Sequence, residues 1–172
     1  MRKYLSYLPL IILLLFVAII SAATLKLNQK QNLSTKNNAF KQIADFEIKN
    51  LYPGKVNLRK EDLIGNYSII NFFASWCSGC IAEHDFLMSL KKEGKFKIYG
   101  VAWRDFDQKT ELFLSKYGNP YHLTLKDTKG EFGQRFNIKA IPESLFIDPD
   151  GNIILHHQGV LDQTVIDKIK LR

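Results

Sequence analysis

Only two cysteines occur among the 172 residues, Cys77 and Cys80. A scaffold stapled by disulfides needs several spread pairs, so that class is excluded. No cysteine lies near the N-terminal apolar run, which excludes a lipoprotein anchor there. Nor is there a second cysteine pair: Cys77, Cys80 and His84 offer three ligands where a structural zinc site needs four. Ile81 stands where a C-x-x-C-H haem attachment requires histidine. Acid is also missing from the start of the chain. No Asp or Glu precedes Gln42, whereas Arg2, Lys3, Lys26, Lys30, Lys36 and Lys41 do. The other 18 basic residues face all 17 acids. The formal charge of +7 is thus gathered around the N-terminus, which argues against a nucleic-acid-binding face. Internal repeats are absent.

What is present begins with an apolar segment from Leu5 to Ala23, preceded by Arg2 and Lys3. A helix of about 20 such residues spans a bilayer. The flanking charge leaves the short N-terminus in the cytoplasm and places the domain across the membrane. Ser21-Ala22-Ala23 offers the competing reading, a cleaved signal peptide, but the run is long for one. The expected organisation is an anchor or signal segment over 1–23, a flexible Asn/Gln/Lys/Ser-rich tether over 24–39 and a domain over 40–172. Hydrophobic residues make up 46% of the chain, enough for a packed core.

Within the domain, Phe46 to Ile48 and Val56 to Leu58 read as short strands joined through Pro53-Gly54. Ser68 to Phe73 reads as a strand buried on both faces. A helix follows from Cys77 to about Lys92, with Gly94 to end it. Phe96 to Trp103 is a second buried strand, Asp107 to Tyr117 a helix, and Glu131 to Phe136 a short helix. Ser144 to Asp148 and Ile153 to His157 form a hairpin around Pro149-Asp150-Gly151. Val160 to Leu171 is expected as a closing helix opened by Asp162. Early βαβ followed by an antiparallel hairpin makes an α/β domain, a mixed sheet covered by helices.

Trp76-Cys77-Ser78-Gly79-Cys80 stands at a strand-to-helix junction. A thiol there meets unpaired backbone N–H groups and the positive end of the helix dipole, both of which stabilise the thiolate. Cys77 is therefore expected as the attacking thiol and Cys80 as the more buried resolving thiol. A disulfide of purely structural purpose is disfavoured, because so short a loop removes little unfolded-chain entropy.

The run I-I-N-F-F-A-S-W-C-S-G-C-I-A-E-H resembles the active-site strand and helix of thioredoxin-like proteins. More narrowly it is similar to the thiol:disulfide interchange proteins of cytochrome c biogenesis, the TlpA-like CcmG/DsbE type. Gly118 to Tyr121, the I-P-E around Pro142 and F-I-D-P-D-G-N-I from Phe146 agree with this. The resemblance implies a cis-proline at Pro142, which exposes the Ile141 backbone to an extended substrate segment. It puts Asn71 where thioredoxin keeps a buried Asp, and transfers that acid's duty to Glu83 and Glu143. Glu83 lies one helical turn after Cys80. Negative charge near the thiols disfavours the thiolate, which makes a reductase rather than a disulfide-forming oxidase. Trp76 is expected to shield the pair or simply to be core. Trp103 and Tyr121 are candidates for the border of a substrate groove, and His84 for a surface position. His156 and His157 point to opposite faces of a strand and are assigned no role. Ser78-Gly79 departs from the Pro-containing dipeptides common at this site.

The implied activity is a membrane-anchored thiol–disulfide oxidoreductase facing the periplasm from the inner membrane. Its implied substrate is an apocytochrome c cysteine pair or a thiol protein of the haem-ligation machinery, and its electrons come from a membrane dithiol donor. No bound cofactor or metal is implied. Two alternatives stand beside it: a general exported reductase or oxidase, and a non-catalytic peptide-binding scaffold that would tolerate loss of Cys77.

Overall fold

The six residues S-I-I-N-F-F carry no charge, as a strand covered on both faces requires, and Ser68–Phe73 is buried at every position. The computed structural model describes residues 41–169, together with Phe16 and Ser21. The expected anchor (those two residues apart), the tether over 24–39 and the last three residues lie outside the described residues. Among the described residues no helix is long and apolar enough to cross a membrane. The chain divides into two units, Met1–Ala39 and Phe40–Arg172.

In the second unit the elements run β1 (Lys41–Gln42), β2 (Glu47–Ile48), β3 (Leu58–Arg59), a 3-10 turn (Lys60–Leu63), β4 (Ser68–Phe73) and α1 (Ser78–Glu93). They continue with β5 (Lys97–Trp103), α2 (Asp107–Tyr117), β6 (Leu123–Asp127), α3 (Glu131–Arg135), β7 (Glu143–Ile147), β8 (Asn152–Gln158) and α4 (Gln163–Ile166). One sheet has the order β1-β8-β7-β4-β5-β6, and β2 pairs with β3 in a separate ribbon. β4, β5 and β6 are parallel, while β7 lies antiparallel to β4 and β8 antiparallel to β7. The mixed, helix-flanked sheet expected from the sequence is therefore present.

Because successive strand residues face opposite ways, the sheet has two cores. Ile69, Phe73, Ile98 and Phe146 pack on one face with Leu87 and Leu90 of α1 and Phe113 and Leu114 of α2. Ile70, Phe72, Val101, Leu125, Leu145 and Ile147 pack on the other with Phe132 of α3. That second face is also crossed by the N-terminal stretch of the domain through Ile43, Phe46 and Ile48. The stretch pairs with β8 at one margin and, at the other, Leu51 N donates to Thr124 O at 2.8 Å and Lys126 N to Lys49 O at 3.0 Å.

Three differences from the sequence reading concern short elements. β6 was not anticipated, since five residues of weak alternation carry little signal beside the G-N-P-Y turn. β1 is two residues long and is held by pairing, not by propensity. The closing helix opens at Asp162, whose carboxylate accepts from Val165 N at 3.2 Å, but the described helix ends at Ile166.

Candidate active site

β4, β5 and the start of β7 present their ends to one side of the sheet, and the cysteine motif stands there. β4 ends at Phe73, the chain turns through Ala74 to Trp76, and α1 begins at Ser78 with Cys77 as its N-cap. Cys80 N donates to Cys77 Sγ at 3.1 Å, so the sulfur takes one of the amides that a helix start leaves unpaired. The two cysteines form a disulfide with Cα atoms 5.3 Å apart. Cys77 is 6% exposed and Cys80 2%, the expected order, although both are buried.

The turn that carries Cys77 is tied down from β5. Asp105, itself buried, accepts from Ser75 N at 2.7 Å, Ser75 Oγ at 3.0 Å, Phe106 N at 2.9 Å and Thr110 Oγ1 at 2.9 Å. One carboxylate thus joins the active-site turn to the first turn of α2. Opposite the motif stands Pro142, after a cis Ile141–Pro142 bond. It is packed so closely that a Cβ on Gly79 would fall 2.9 Å from Pro142 Cδ. The backbone N–H and C=O of Ile141 have no partner among the described residues, whereas Pro142 O accepts from Gly159 N at 2.9 Å. Trp76, Ile81, Phe106 and Val160 are exposed apolar side chains on the segments that surround the motif.

Behind the disulfide lies a closed polar set. Glu83 is fully buried; its Oε2 accepts from Leu161 N at 2.8 Å and its Oε1 from Asn71 Nδ2 at 2.7 Å. Asn71 Nδ2 also donates to Ser144 Oγ at 3.0 Å, and Tyr121 O–H donates to Asn71 Oδ1 at 2.8 Å. Burial pushes the Glu83 carboxyl up to about 7, against the pull of the Leu161 and Asn71 donors. Burial, and then the Glu83 charge, hold the Tyr121 phenol well above its ordinary 10.

Glu143 is not part of that set. In the β4–β7 register Asn71 faces Ser144 and Phe72 faces Glu143, so Glu143 projects from the face of the sheet opposite to the one on which Asn71 meets Glu83 of α1. Glu143 Oε1 accepts from Lys139 N at 3.1 Å and Ala140 N at 2.9 Å, and its Oε2 from His156 Nε2 at 2.6 Å. It therefore fastens the loop that leads to Ile141 and Pro142.

This geometry suits thiol–disulfide exchange, and the comparisons agree with it. The redoxin family matches residues 19–170. The chain is 31% identical over 158 residues to the thiol:disulfide interchange protein DsbE of Haemophilus influenzae, covering 90% of this chain and 87% of that protein. It is 31% identical over 163 residues to DsbE of Vibrio cholerae, covering 92% and 87%. The chain belongs to the redoxin family, as a DsbE-type thiol:disulfide interchange protein. Among solved structures, MTB DsbF, described in mixed oxidised and reduced forms, superposes with a TM-score of 0.63 at 26% identity, over 70% of this chain and 89% of that one. The fold is thioredoxin-like, and the chain is a thiol–disulfide oxidoreductase.

Several placements differ from the sequence reading of this DsbE-type chain. His84 is not at the surface: it is 2% exposed, with Nε2 donating to Gly118 O at 3.0 Å and its ring edge-on to Phe113. Its apolar helix-face position, one turn after Cys80, was the available signal. Trp76 is not core; it is 59% exposed. Trp103 and Tyr121 border no surface groove, since both are buried and Trp103 packs in the core on the face away from α1. The roles of Asp105, Ser144 and His156 escaped the sequence, because each acts through a partner on another element.

Proposed function

We propose that this chain is a dedicated reductase of cytochrome c maturation, held at the inner membrane by its N-terminal segment with the domain in the periplasm. The observation that carries the reductase reading is a buried, unpaired-by-cation carboxylate, Glu83, one helical turn from Cys80. Among the described residues no cationic side chain pairs with it. A negative charge there disfavours a neighbouring thiolate and so destabilises the reduced pair. The substrate is a disulfide of an apocytochrome c or of a thiol protein of the haem-ligation machinery.

The Cys77 thiolate attacks one sulfur of the substrate disulfide. That S–S bond breaks, a Cys77 mixed disulfide forms, and one substrate thiolate leaves and takes up a proton. Cys80 gives its proton to the Glu83 carboxylate, and its thiolate attacks the Cys77 sulfur. The mixed disulfide breaks, the second substrate thiolate leaves, and two electrons have passed to the substrate. A membrane dithiol then reduces Cys77–Cys80 by the same exchange in reverse. The free Ile141 backbone and the apolar side chains of Trp76 and Pro142 hold an extended substrate segment. Glu143 contributes by fastening the loop beneath that contact.

The test is the reduction potential of the pair, equilibrated against dithiothreitol and glutathione. A value near or below that of thioredoxin, about −270 mV, is expected. A value near that of DsbA, about −120 mV, would make the chain an oxidase.

A further inference from the structure

We propose that Tyr121 is a positioning residue for the exchange: its hydroxyl locks the Asn71 amide in the orientation that donates to Glu83, and so holds the carboxylate ready for the Cys80 proton. This deepens the reading of Glu83 as proton acceptor and rests on it.

An asparagine amide offers an acceptor on one side and two donors on the other. Asn71 is fully buried, so water does not choose its orientation. The Tyr121 hydroxyl, 2.8 Å from Oδ1, does. It has no other acceptor among the described residues. A flipped amide would turn its NH2 to the hydroxyl and leave the phenolic proton buried without a partner. Because burial holds the phenol protonated across any working pH, the donor is always loaded.

The opposite side of the amide matters for the proton. Asn71 Nδ2 reaches Glu83 Oε1 at 2.7 Å and Ser144 Oγ at 3.0 Å. A donor aimed at Glu83 favours the ionised carboxylate, the form that accepts a proton. A flipped amide would offer Oδ1 instead and favour the protonated form, which has no proton to receive. Amide orientation and Glu83 protonation are therefore linked, and Tyr121 biases both.

The fold makes room for this hydroxyl. Gly100 is the register partner of Asn71 on β5, and a Cβ there would fall 2.6 Å from Tyr121 Cγ, inside the space its ring takes. The ring also packs on Phe73 at 4.8 Å between centroids. Its backbone is set by Asn119 Oδ1, which accepts from Tyr121 N at 2.9 Å, and by Lys91 Nζ, which donates to Tyr121 O at 3.2 Å. Glu83 is met by Asn71 from β4 and the Leu161 amide ahead of α4, and Asn71 in turn by Ser144 from β7 and Tyr121; Cys80 precedes Glu83 by one helical turn on α1. His84 is turned away to Gly118.

The experiment reads two things in the full chain and its variants, the first in the oxidised form and the second starting from the reduced form. The first is the Glu83 carboxyl titration by 13C NMR, assigned by its loss in Glu83→Gln. The second is the pH profile of mixed-disulfide resolution by Cys80. Tyr121→Phe is expected to move the Glu83 midpoint from about 7 upward by about one pH unit, the loss of one charge-directed hydrogen bond. The acid limb of resolution should move with it. In an Asn71→Ala background Tyr121→Phe should add no shift. 3-Fluorotyrosine, which keeps the shape and strengthens the donor, should move the midpoint down; it serves if Tyr121→Phe does not fold. A midpoint unmoved by either change overturns Tyr121's hold on the amide and leaves the Glu83 reading standing. A midpoint that moves while the resolution limb stays put overturns Glu83 as the acceptor, and with it Tyr121's place in the reaction.

Discussion

A carboxyl that burial pushes up to about 7 keeps its proton in the folded chain over a range where the unfolded chain, near the ordinary 4.5, has lost it. Between those two values the folded state binds more protons, so stability falls as pH rises; below 4.5 Glu83 costs nothing, and above 7 the full cost is present. The gap corresponds to about 3 kcal/mol. Urea melts of the wild type and Glu83→Gln at pH 4.5 and pH 8 should therefore diverge, with the variant gaining about that much relative to the wild type at the higher pH. A pH-independent difference would place the carboxyl in a wetter site. Of the thiols, Cys77→Ser should abolish turnover, whereas Cys80→Ser should trap Cys77 in a mixed disulfide with substrate, read by mass spectrometry. The cysteines, Pro142 and Glu83 were legible because a motif or one helical turn defines them. The pairs Tyr121–Asn71, Ser75–Asp105 and His156–Glu143 span 50, 30 and 13 residues. No periodicity links such positions, and only the strand register brings them together.

At the scale of elements, the start of α1 depends on two neighbours that are not in its own sequence. Asp105 gathers four donors from the active-site turn and from the first turn of α2. Asp105→Ala would leave several of these without a partner, at a cost of about 2–4 kcal/mol, and would loosen the turn that carries Cys77. A drop in Tm together with faster alkylation of reduced Cys77 would register both effects. On the other side, Gly79→Ala would drive a methyl into the Pro142 ring. Overpacking of this kind costs about 1–3 kcal/mol, against a smaller gain in helix propensity of up to about 1 kcal/mol. A lowered Tm and a raised KM for a disulfide peptide are expected; an unchanged KM would mean that Pro142 does not meet substrate. Long elements were legible from hydrophobic pattern, as with β4 and α1. β1 and β6 were not, because a strand at or next to a margin owes its existence to what pairs with it.

The whole domain is organised around a sheet with two separately filled faces, and the two buried acids are divided between them: Glu83 lies against one, a helical turn after Cys80, and Glu143 fastens a loop from the other. The stretch from Lys41 to Leu51 straps the second face from margin to margin. It occupies the β6 margin through residues 49–51 and the beginning of the β8 margin through β1. The rest of β8 carries His156, His157 and Gln158, polar side chains that resist flush pairing. Leu51→Pro would delete the amide that Thr124 O accepts and free part of the β6 margin. Sedimentation velocity at high protein concentration should then show more self-association than in the wild type. With both margins partly covered, the Ile141 backbone stands open to foreign backbone among the described residues. A molecule whose proposed work is to meet unfinished polypeptides thereby presents them less bare strand edge on which to aggregate.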